Sequence, residues 1–173
     1  TDISRIETKQ LHMSFAPTAL RHAIKETMQT IQTVADDKQI RIHSPYDLDD
    51  LPLVMADKGR LIQVFTNLLS NACKYSPPET DVTVHLQPHE QDGACVVRCA
   101  VQDSGYGISD EDQQKLFTQF FRADDPNIRK SKGTGLGLSI TKGIIELHGG
   151  EIGVESQLGK GTTFHFAIPQ AEE

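Results

Sequence analysis

The sequence lacks the surplus of positive charge that a general nucleic-acid-binding surface needs. Its 173 residues include 17 Lys and Arg against 24 Asp and Glu, which gives a formal net charge of −7. No basic patch of useful length appears, so we expect no binding to nucleic acid and no direct contact with an anionic membrane surface. Any recognition of phosphate must therefore be local.

Long apolar runs and a secretory signal are also missing. A membrane-spanning helix needs roughly 18 or more consecutive apolar residues, and no run in the sequence approaches that length. The chain begins at Thr1 inside a helical pattern and without a signal peptide. We therefore expect a cytoplasmic fragment of a longer protein, whose parent can still be anchored in a membrane.

The three cysteines do not predict a disulfide. Cys95 and Cys99 would lie about 13 Å apart on one strand, at about 3.3 Å per residue, which is beyond disulfide reach. Cys73 falls in a predicted helix, and reduced thiols are typical of a cytoplasmic domain. The seven histidines show no metal-ligand spacing, and we place His89 and Glu90 in a solvated hairpin turn, so no structural zinc site is expected.

Predicted helices and strands interleave along the chain. With 37% hydrophobic and 24% charged residues, the composition is typical of one globular domain. The hydrophobic periodicity predicts helices at 2–11, 17–38, after an Asp57 cap up to the prolines of SPPET, from a Ser109 cap to about 117, and from the GTGLGLS segment to Gly149. Strands are expected at 39–43, 51–55, 82–86, 95–101, 151–156 and 162–168. This order predicts an α/β or α+β class with helices on one face of a mixed sheet.

One predicted helix carries a polar stripe beside its apolar stripe. Asn67, Asn71, Lys74 and Tyr75 fall within one narrow sector at helical spacing. A lone Asn on a helix is usually just exposed, but this set fits a polar ligand. Carboxamide oxygen suits Mg²⁺, ammonium suits phosphate, and a phenol ring offers a flat face to a base.

Two glycine segments add to this lining. The segment DSGYGI places Asp103 at a strand end, where a carboxylate can accept hydrogen bonds from an exocyclic amine. Gly105 and Gly107 then allow another group to approach the backbone. Taken alone, the segment is equally well explained as a plain Asp-Gly turn.

The second glycine segment, GTGLGL, precedes a helix, whose bare N–H groups favour phosphate oxygens. It is not a Walker A loop, because no Lys-Ser or Lys-Thr follows the glycines, and its spacing is not that of a Rossmann fingerprint. As a lone motif it is weak evidence.

In their order, these segments resemble the ATP-binding catalytic domain of sensor histidine kinases, within the gyrase, Hsp90, histidine kinase and MutL superfamily. The matching segments are NLLSNACKYS, DSGYGI, LFTQFFR, GTGLGLSI and GKGTTF. The resemblance implies a Bergerat-type α/β two-layer sandwich, with a mixed β-sheet covered on one face by helices and a mobile ATP lid at about 108–133. Residues 1–16 resemble the end of a dimerisation helix with its linker, and residues 17–170 resemble the ATP-binding domain.

The resemblance also implies ATP and Mg²⁺ as cofactors. Asn71 would bind Mg²⁺, Lys74 phosphate and Tyr75 the base, while Asp103 would accept from the adenine amine. The other expected contacts are Gly105, Gly107, Ile108, Arg122, Gly133, Thr134, Gly135, Leu136, Gly137, Leu138 and Thr162.

Asn67 bears on the reaction. The ATPases of the superfamily carry a glutamate at this place, as general base for water, whereas an amide cannot take a proton at neutral pH. We therefore expect Asn67, Asn71 and Lys74 to act in phosphate transfer with little hydrolysis.

The acceptor would be a histidine on a dimerisation domain of the same homodimeric parent protein, which is absent from this chain, and a response regulator would receive the phosphate next. Two alternatives remain open: a degenerate nucleotide-sensing module without phosphate transfer, and an interaction scaffold in which the glycines only make turns.

Overall fold

The computed structural model describes residues 12–44, 50–117 and 137–172. Its elements are β1 (Ala16–Thr18), α1 (Leu20–Asp37), β2 (Arg41–His43), β3 (Val54–Ala56), α2 (Lys58–Lys74), β4 (Asp81–Gln91), β5 (Ala94–Asp103), α3 (Asp110–Gln113), α4 (Gly137–Leu147), β6 (Ile152–Gln157) and β7 (Gly161–Pro169). The predicted helix at 2–11 and residues 118–133 of the predicted lid lie outside the described residues. Within the described ranges, no helix combines the length and apolar character that a membrane crossing requires.

The described strands form one larger and one smaller sheet. The larger sheet has the order β2-β4-β5-β7-β6. Strand β2 is parallel to β4, and the other neighbours are antiparallel. The smaller sheet pairs β1 with β3 in antiparallel fashion, and a bridge between Val54 and Gln170 joins it to the end of β7. The expected mixed sheet of an α/β fold is confirmed.

The hydrophobic core lies between one face of the larger sheet and the long helices. Alternate residues of β4, β5 and β7 point to this face because side chains of a strand alternate between its two sides. Phe65 of α2 packs on Phe166 of β7 with ring centroids 5.6 Å apart. The buried strand residues are Val82, Val84, Leu86, Val97, Cys99, Val101, Phe164, Phe166 and Ile168. This layer fixes the position of α2 and α4 over the sheet.

The ends of α2 and α4 agree with the sequence prediction. Asp57 caps α2, since its Oδ1 accepts a hydrogen bond of 3.1 Å from the Arg60 N–H. Helix α4 ends at Leu147, and the turn that closes it contains Gly149, which has a φ of +80°; the Gly150 N–H then donates to the Ile145 carbonyl at 3.0 Å. A glycine is favoured in this left-handed position because it has no Cβ.

Three local predictions were wrong. Pro17 lies in β1, opposite Met55, and not in the first turn of a helix, because pairing with β3 keeps this segment extended. His89 and Glu90 lie in β4 and not in a turn, since Asp92 and Gly93 alone reverse the chain with φ of 52° and 81°. Helix α3 ends at Gln113, short of residue 117.

Candidate functional site

Helix α2 presents the predicted polar stripe at the edge of the core. Its buried face consists of Leu61, Val64, Phe65, Leu68, Leu69, Ala72 and Cys73. The side chains of Asn67, Asn71, Lys74 and Tyr75 are half-buried beside that face. None of the hydrogen bonds among the described residues involves the Asn71 carboxamide, so its oxygen can serve as a ligand. A carboxamide oxygen is a suitable hard ligand for Mg²⁺.

Asn67 links α2 to the beginning of α4. Its Nδ2 donates to the Thr141 hydroxyl at 3.1 Å and, more weakly, to the Gly137 carbonyl at 3.4 Å. The Thr141 hydroxyl in turn donates to the same Gly137 carbonyl at 2.8 Å. The start of α4, which includes the last two residues of the GTGLGL segment, is therefore bound to Asn67. Asn67 lies one helical turn before Asn71 on α2.

Asp103 is a largely buried carboxylate at the end of β5. Its Oδ1 accepts hydrogen bonds from the main-chain N–H groups of Gly105 at 2.8 Å and Thr162 at 3.1 Å. Burial raises the pKa of this carboxyl to about 6, although both N–H groups act to lower it. Oδ1 is thus occupied, whereas no hydrogen bond within residues 12–44, 50–117 and 137–172 involves Oδ2.

The loop after Asp103 rests on the carboxyl-terminal end of α2. The Tyr106 N–H donates to the Tyr75 carbonyl at 3.2 Å. A Cβ on Gly105 would overlap that carbonyl oxygen and would lie 2.9 Å from Asp103 Oδ1. Only glycine permits this approach, so the DSGYGI segment is more than a plain turn.

The same loop is also held by the turn between β6 and β7. The Gly159 N–H donates to the Tyr106 carbonyl at 2.8 Å, and the Ile108 N–H donates to Ser156 Oγ at 2.8 Å. Gly107 has a φ of +75°, and a Cβ there would overlap the Gln157 carbonyl oxygen. The β6–β7 hairpin and the carboxyl-terminal end of α2 thus hold the Asp103 loop from two sides.

Two predicted contact residues face the protein and not open space. Ile108 belongs to the hydrophobic core. Thr162 is 6% exposed, its hydroxyl lies 2.8 Å from Ser156 Oγ, and its N–H is the one that holds Asp103. Both residues therefore support the site through their backbone.

The structure places part of the predicted site and leaves part of it outside the described residues. Gly137 and Leu138 form the first turn of α4 and are half-buried. Arg122, Gly133, Thr134, Gly135 and Leu136 lie outside the described residues.

Sequence analysis missed three supporting residues, namely Lys38, Thr141 and Ser156. No pattern in the neighbouring sequence distinguishes these residues, because each contacts a segment that is distant in sequence.

The assembled groups fit a magnesium-bound nucleotide. A buried carboxylate suits an exocyclic amine, and the start of α4 offers main-chain N–H groups with the positive end of a helix dipole to phosphates. The Asn71 carboxamide adds a metal ligand of the correct chemistry. All three features lie along or against α2.

Comparison with known proteins identifies the family of the chain. Residues 56–172 match the family model described as histidine kinase-, DNA gyrase B- and HSP90-like ATPase. The sensor histidine kinase GacS of Pseudomonas protegens is 36% identical over 167 residues, which cover 96% of this chain and 18% of that protein. The sensor histidine kinase WalK of Bacillus subtilis is 42% identical over 120 residues, which cover 69% of this chain and 19% of that protein. The chain thus spans about a fifth of the length of these relatives.

Solved structures show the same fold. Full-length ShkA in complex with AMPPNP superimposes with a TM-score of 0.80 at 28% identity, over 99% of this chain and 34% of that chain. The nucleotide-free catalytic domain of the histidine kinase ThkA gives a TM-score of 0.74 at 30% identity, over 91% of this chain and 97% of that chain. The first of these is a nucleotide complex, and the second corresponds to a catalytic domain of nearly the same extent.

Proposed function

Because the chain belongs to the family of histidine kinase-, DNA gyrase B- and HSP90-like ATPases, we propose that it is the ATP-binding catalytic domain of a sensor histidine kinase. It would hold Mg-ATP and donate the γ-phosphate to a histidine on a separate dimerisation domain, from which a response regulator would receive it. The observation that carries this proposal is that α2 holds both the Asp103 loop, through Tyr75, and the start of α4, through Asn67.

The residues have distinct roles in this proposal. Asp103 accepts a hydrogen bond from the adenine amine, and Tyr75 lies against the base. Lys74 binds phosphate, and Asn71 provides a ligand for Mg²⁺, which would neutralise charge on the transferring phosphate. The start of α4 directs its N–H groups at the phosphates. Contacts from Arg122 and from Gly133 to Leu136 stay predictions.

Asn67 explains why such a domain would transfer phosphate and hydrolyse little. Its carboxamide nitrogen donates to Gly137 and Thr141, and an amide has no basic site for a water proton at neutral pH. The acceptor must then be brought by another part of the parent protein. We infer a homodimeric parent with its catalytic domains in the cytoplasm, whether or not that parent is anchored in a membrane.

A fluorescent ATP analogue tests nucleotide binding directly. We expect binding that depends on Mg²⁺ and is abolished by Asn71→Ala or Asp103→Ala. Gln63→Ala removes a carboxamide from the same helix, and Asp81→Ala removes an exposed carboxylate, so both controls should bind as the wild type does. A folded wild-type domain that binds no nucleotide would refute the proposal.

Transfer needs a second measurement. With radiolabelled ATP and the dimerisation domain added in trans, we expect an acid-labile, base-stable label on that domain. Nucleotide binding without any such label would favour a sensing module. Hydrolysis at several turnovers per second without an acceptor would contradict the role given to Asn67.

A further inference from the structure

The carboxyl-terminal end of α2 is held by a cation from another helix. Lys38 closes α1, and its Nζ donates to the main-chain carbonyls of Cys73 at 2.8 Å, Lys74 at 3.1 Å and Ser76 at 2.6 Å. The last carbonyls of a helix have no partner within the helix, and they form the negative end of its dipole. An ammonium group satisfies both conditions at once, and bonds of this kind are stronger than neutral ones.

The pattern of carbonyls shows what this contact achieves. Of four consecutive carbonyls, Lys38 takes the first, second and fourth, and the third is that of Tyr75. This remaining carbonyl accepts the Tyr106 N–H at 3.2 Å and so carries the loop that follows Asp103. Lys38 therefore fixes the segment that supports the Asp103 loop.

The residues that follow Tyr75 are also connected to Lys38. Ser76 is fully buried, yet its hydroxyl has no hydrogen-bond partner within the described part of the chain. The two residues after it are Pro77 and Pro78, which have no N–H to donate. Farther along, the Glu79 N–H donates to the Lys38 carbonyl at 3.1 Å. Lys38 thus holds the segment from both ends, by its side chain and by its main chain.

The charge of Lys38 acts on the last turn of α2, next to the carbonyls that its Nζ contacts. Burial raises the pKa of the Cys73 thiol; the charge of Lys38 acts to lower this pKa and the charge of Asp103 acts to raise it further. Both charges are therefore felt at the last turn of α2, where the side chains of Lys74 and Tyr75 begin.

We propose that Lys38 is a positioning residue for nucleotide binding, which acts through the main chain at 73–76 to hold Tyr75 and the Asp103 loop in their binding arrangement. The proposal rests on the proposed function, because it concerns the base-binding end of that site. Lys38 itself touches no ligand in this proposal.

Lys38→Met removes the ammonium and keeps most of the aliphatic stem. We expect the Kd for Mg-ATP to rise about tenfold, since three charge-assisted hydrogen bonds are lost. Because the defect lies at the base end, the Kd values for ADP and adenosine should rise by the same factor, and the ratio of ATP to adenosine affinity should stay constant. Lys38→Arg keeps a charged donor and should restore the Kd to within about threefold of the wild type.

Lys58→Met is the matched control. Lys58 is the first residue of α2, and its Nζ makes an exposed ion pair of 2.8 Å with Glu26. This substitution should change the Kd less than about twofold, because exposed pairs contribute little. All measurements are made at a temperature where each variant is folded, so a general loss of stability does not alter the Kd.

Amide hydrogen exchange in the nucleotide-free chain separates this inference from the proposed function. The Tyr106 amide should exchange at least about tenfold faster in Lys38→Met, whereas the Gly150 amide at the end of α4 should be unchanged. If the wild type binds no nucleotide, the proposed function fails, and the Tyr106 result still decides whether Lys38 positions the loop. A Lys38→Met variant with wild-type affinities and wild-type Tyr106 exchange would overturn the inference. If Lys38→Met does not fold, the same comparison of the three ligands and of Tyr106 exchange is made with Lys38→Gln, which also lacks the ammonium, and wild-type values in both would overturn the inference.

Discussion

Asp103→Asn should stabilise the nucleotide-free domain while it weakens nucleotide binding. Burial raises the pKa of this carboxyl from 3.8 to about 6, so a charged Asp103 opposes folding at neutral pH. A shift of about two units corresponds to about 3 kcal/mol at about 1.36 kcal/mol per unit. Asn retains an Oδ1 acceptor for the N–H groups of Gly105 and Thr162 and carries no charge.

The dependence on pH follows from the direction of the shift. As the pH falls through about 6, folded Asp103 takes up a proton that the unfolded chain does not take up until about 3.8. The wild type therefore gains stability from this group on acidification and loses it as the pH rises through 6. The stability advantage of Asp103→Asn should be largest above pH 7 and should vanish near pH 4.

Urea unfolding at several pH values measures this effect. We expect Asp103→Asn to raise the free energy of unfolding at pH 7.5 by about 1 to 3 kcal/mol, the lower figure allowing for burial of the new amide. The Kd for ATP should rise by about tenfold to a hundredfold, because a hydrogen bond to a charged acceptor contributes about 1.5 to 3 kcal/mol.

Asp81→Asn is a control for which the expected change in stability has the opposite sign. The hydrogen bonds from Arg41 and His43 lower the pKa of this exposed carboxyl, so its replacement should reduce stability at neutral pH and leave the affinity for ATP unchanged. An Asp103→Asn variant that is less stable than the wild type at pH 7.5, or whose advantage does not depend on pH, would refute the reasoning about burial.

Three further predictions concern one glycine, one threonine and one histidine. Gly107→Ala should cost about 1 to 3 kcal/mol more stability than Gly93→Ala in urea unfolding, because both glycines have a positive φ but only the first faces a main-chain carbonyl at overlap distance. Thr141→Val should weaken ATP binding about fivefold in a titration, whereas Thr27→Val, which loses the same kind of buried hydroxyl bond within one helix, should not. His148 is buried, and burial lowers its pKa; since the unfolded chain then binds a proton first, the wild type should lose stability as the pH falls below about 6.5, and thermal melts of His148→Gln should show a smaller loss.

Local sequence signals predicted the parts of the fold that depend on neighbouring residues. The Asp57 cap, the apolar face of α2 and the glycine end of α4 follow from short-range chemistry, and the structure confirms them. The prediction that Pro17 begins a helix was wrong because its place in β1 depends on β3, almost forty residues away. Tertiary pairing of this kind leaves no periodic signal in a three-residue strand.

The candidate site shows the same division. Asp103 and Gly105 could be selected from sequence because a carboxylate and glycines after a strand have a specific chemistry. Lys38 could not, since a lysine at a helix end is usually a solvated charge. Its role emerges only when α1 and α2 lie side by side and one ammonium meets three carbonyls.

The structure gives Asn67 a second role, as a hydrogen-bond donor to the start of α4. In the sequence, Asn67 is notable because an amide cannot act as the general base that a glutamate would provide at this place. In the structure its carboxamide nitrogen faces the Gly137 carbonyl, which can only accept, and a carboxylate at this place could not donate there. The amide therefore holds the start of α4, and in the proposed function it would at the same time offer no base to water. Under the proposed function the site must keep ATP intact until a histidine arrives; it would need both properties, and one side chain would supply them.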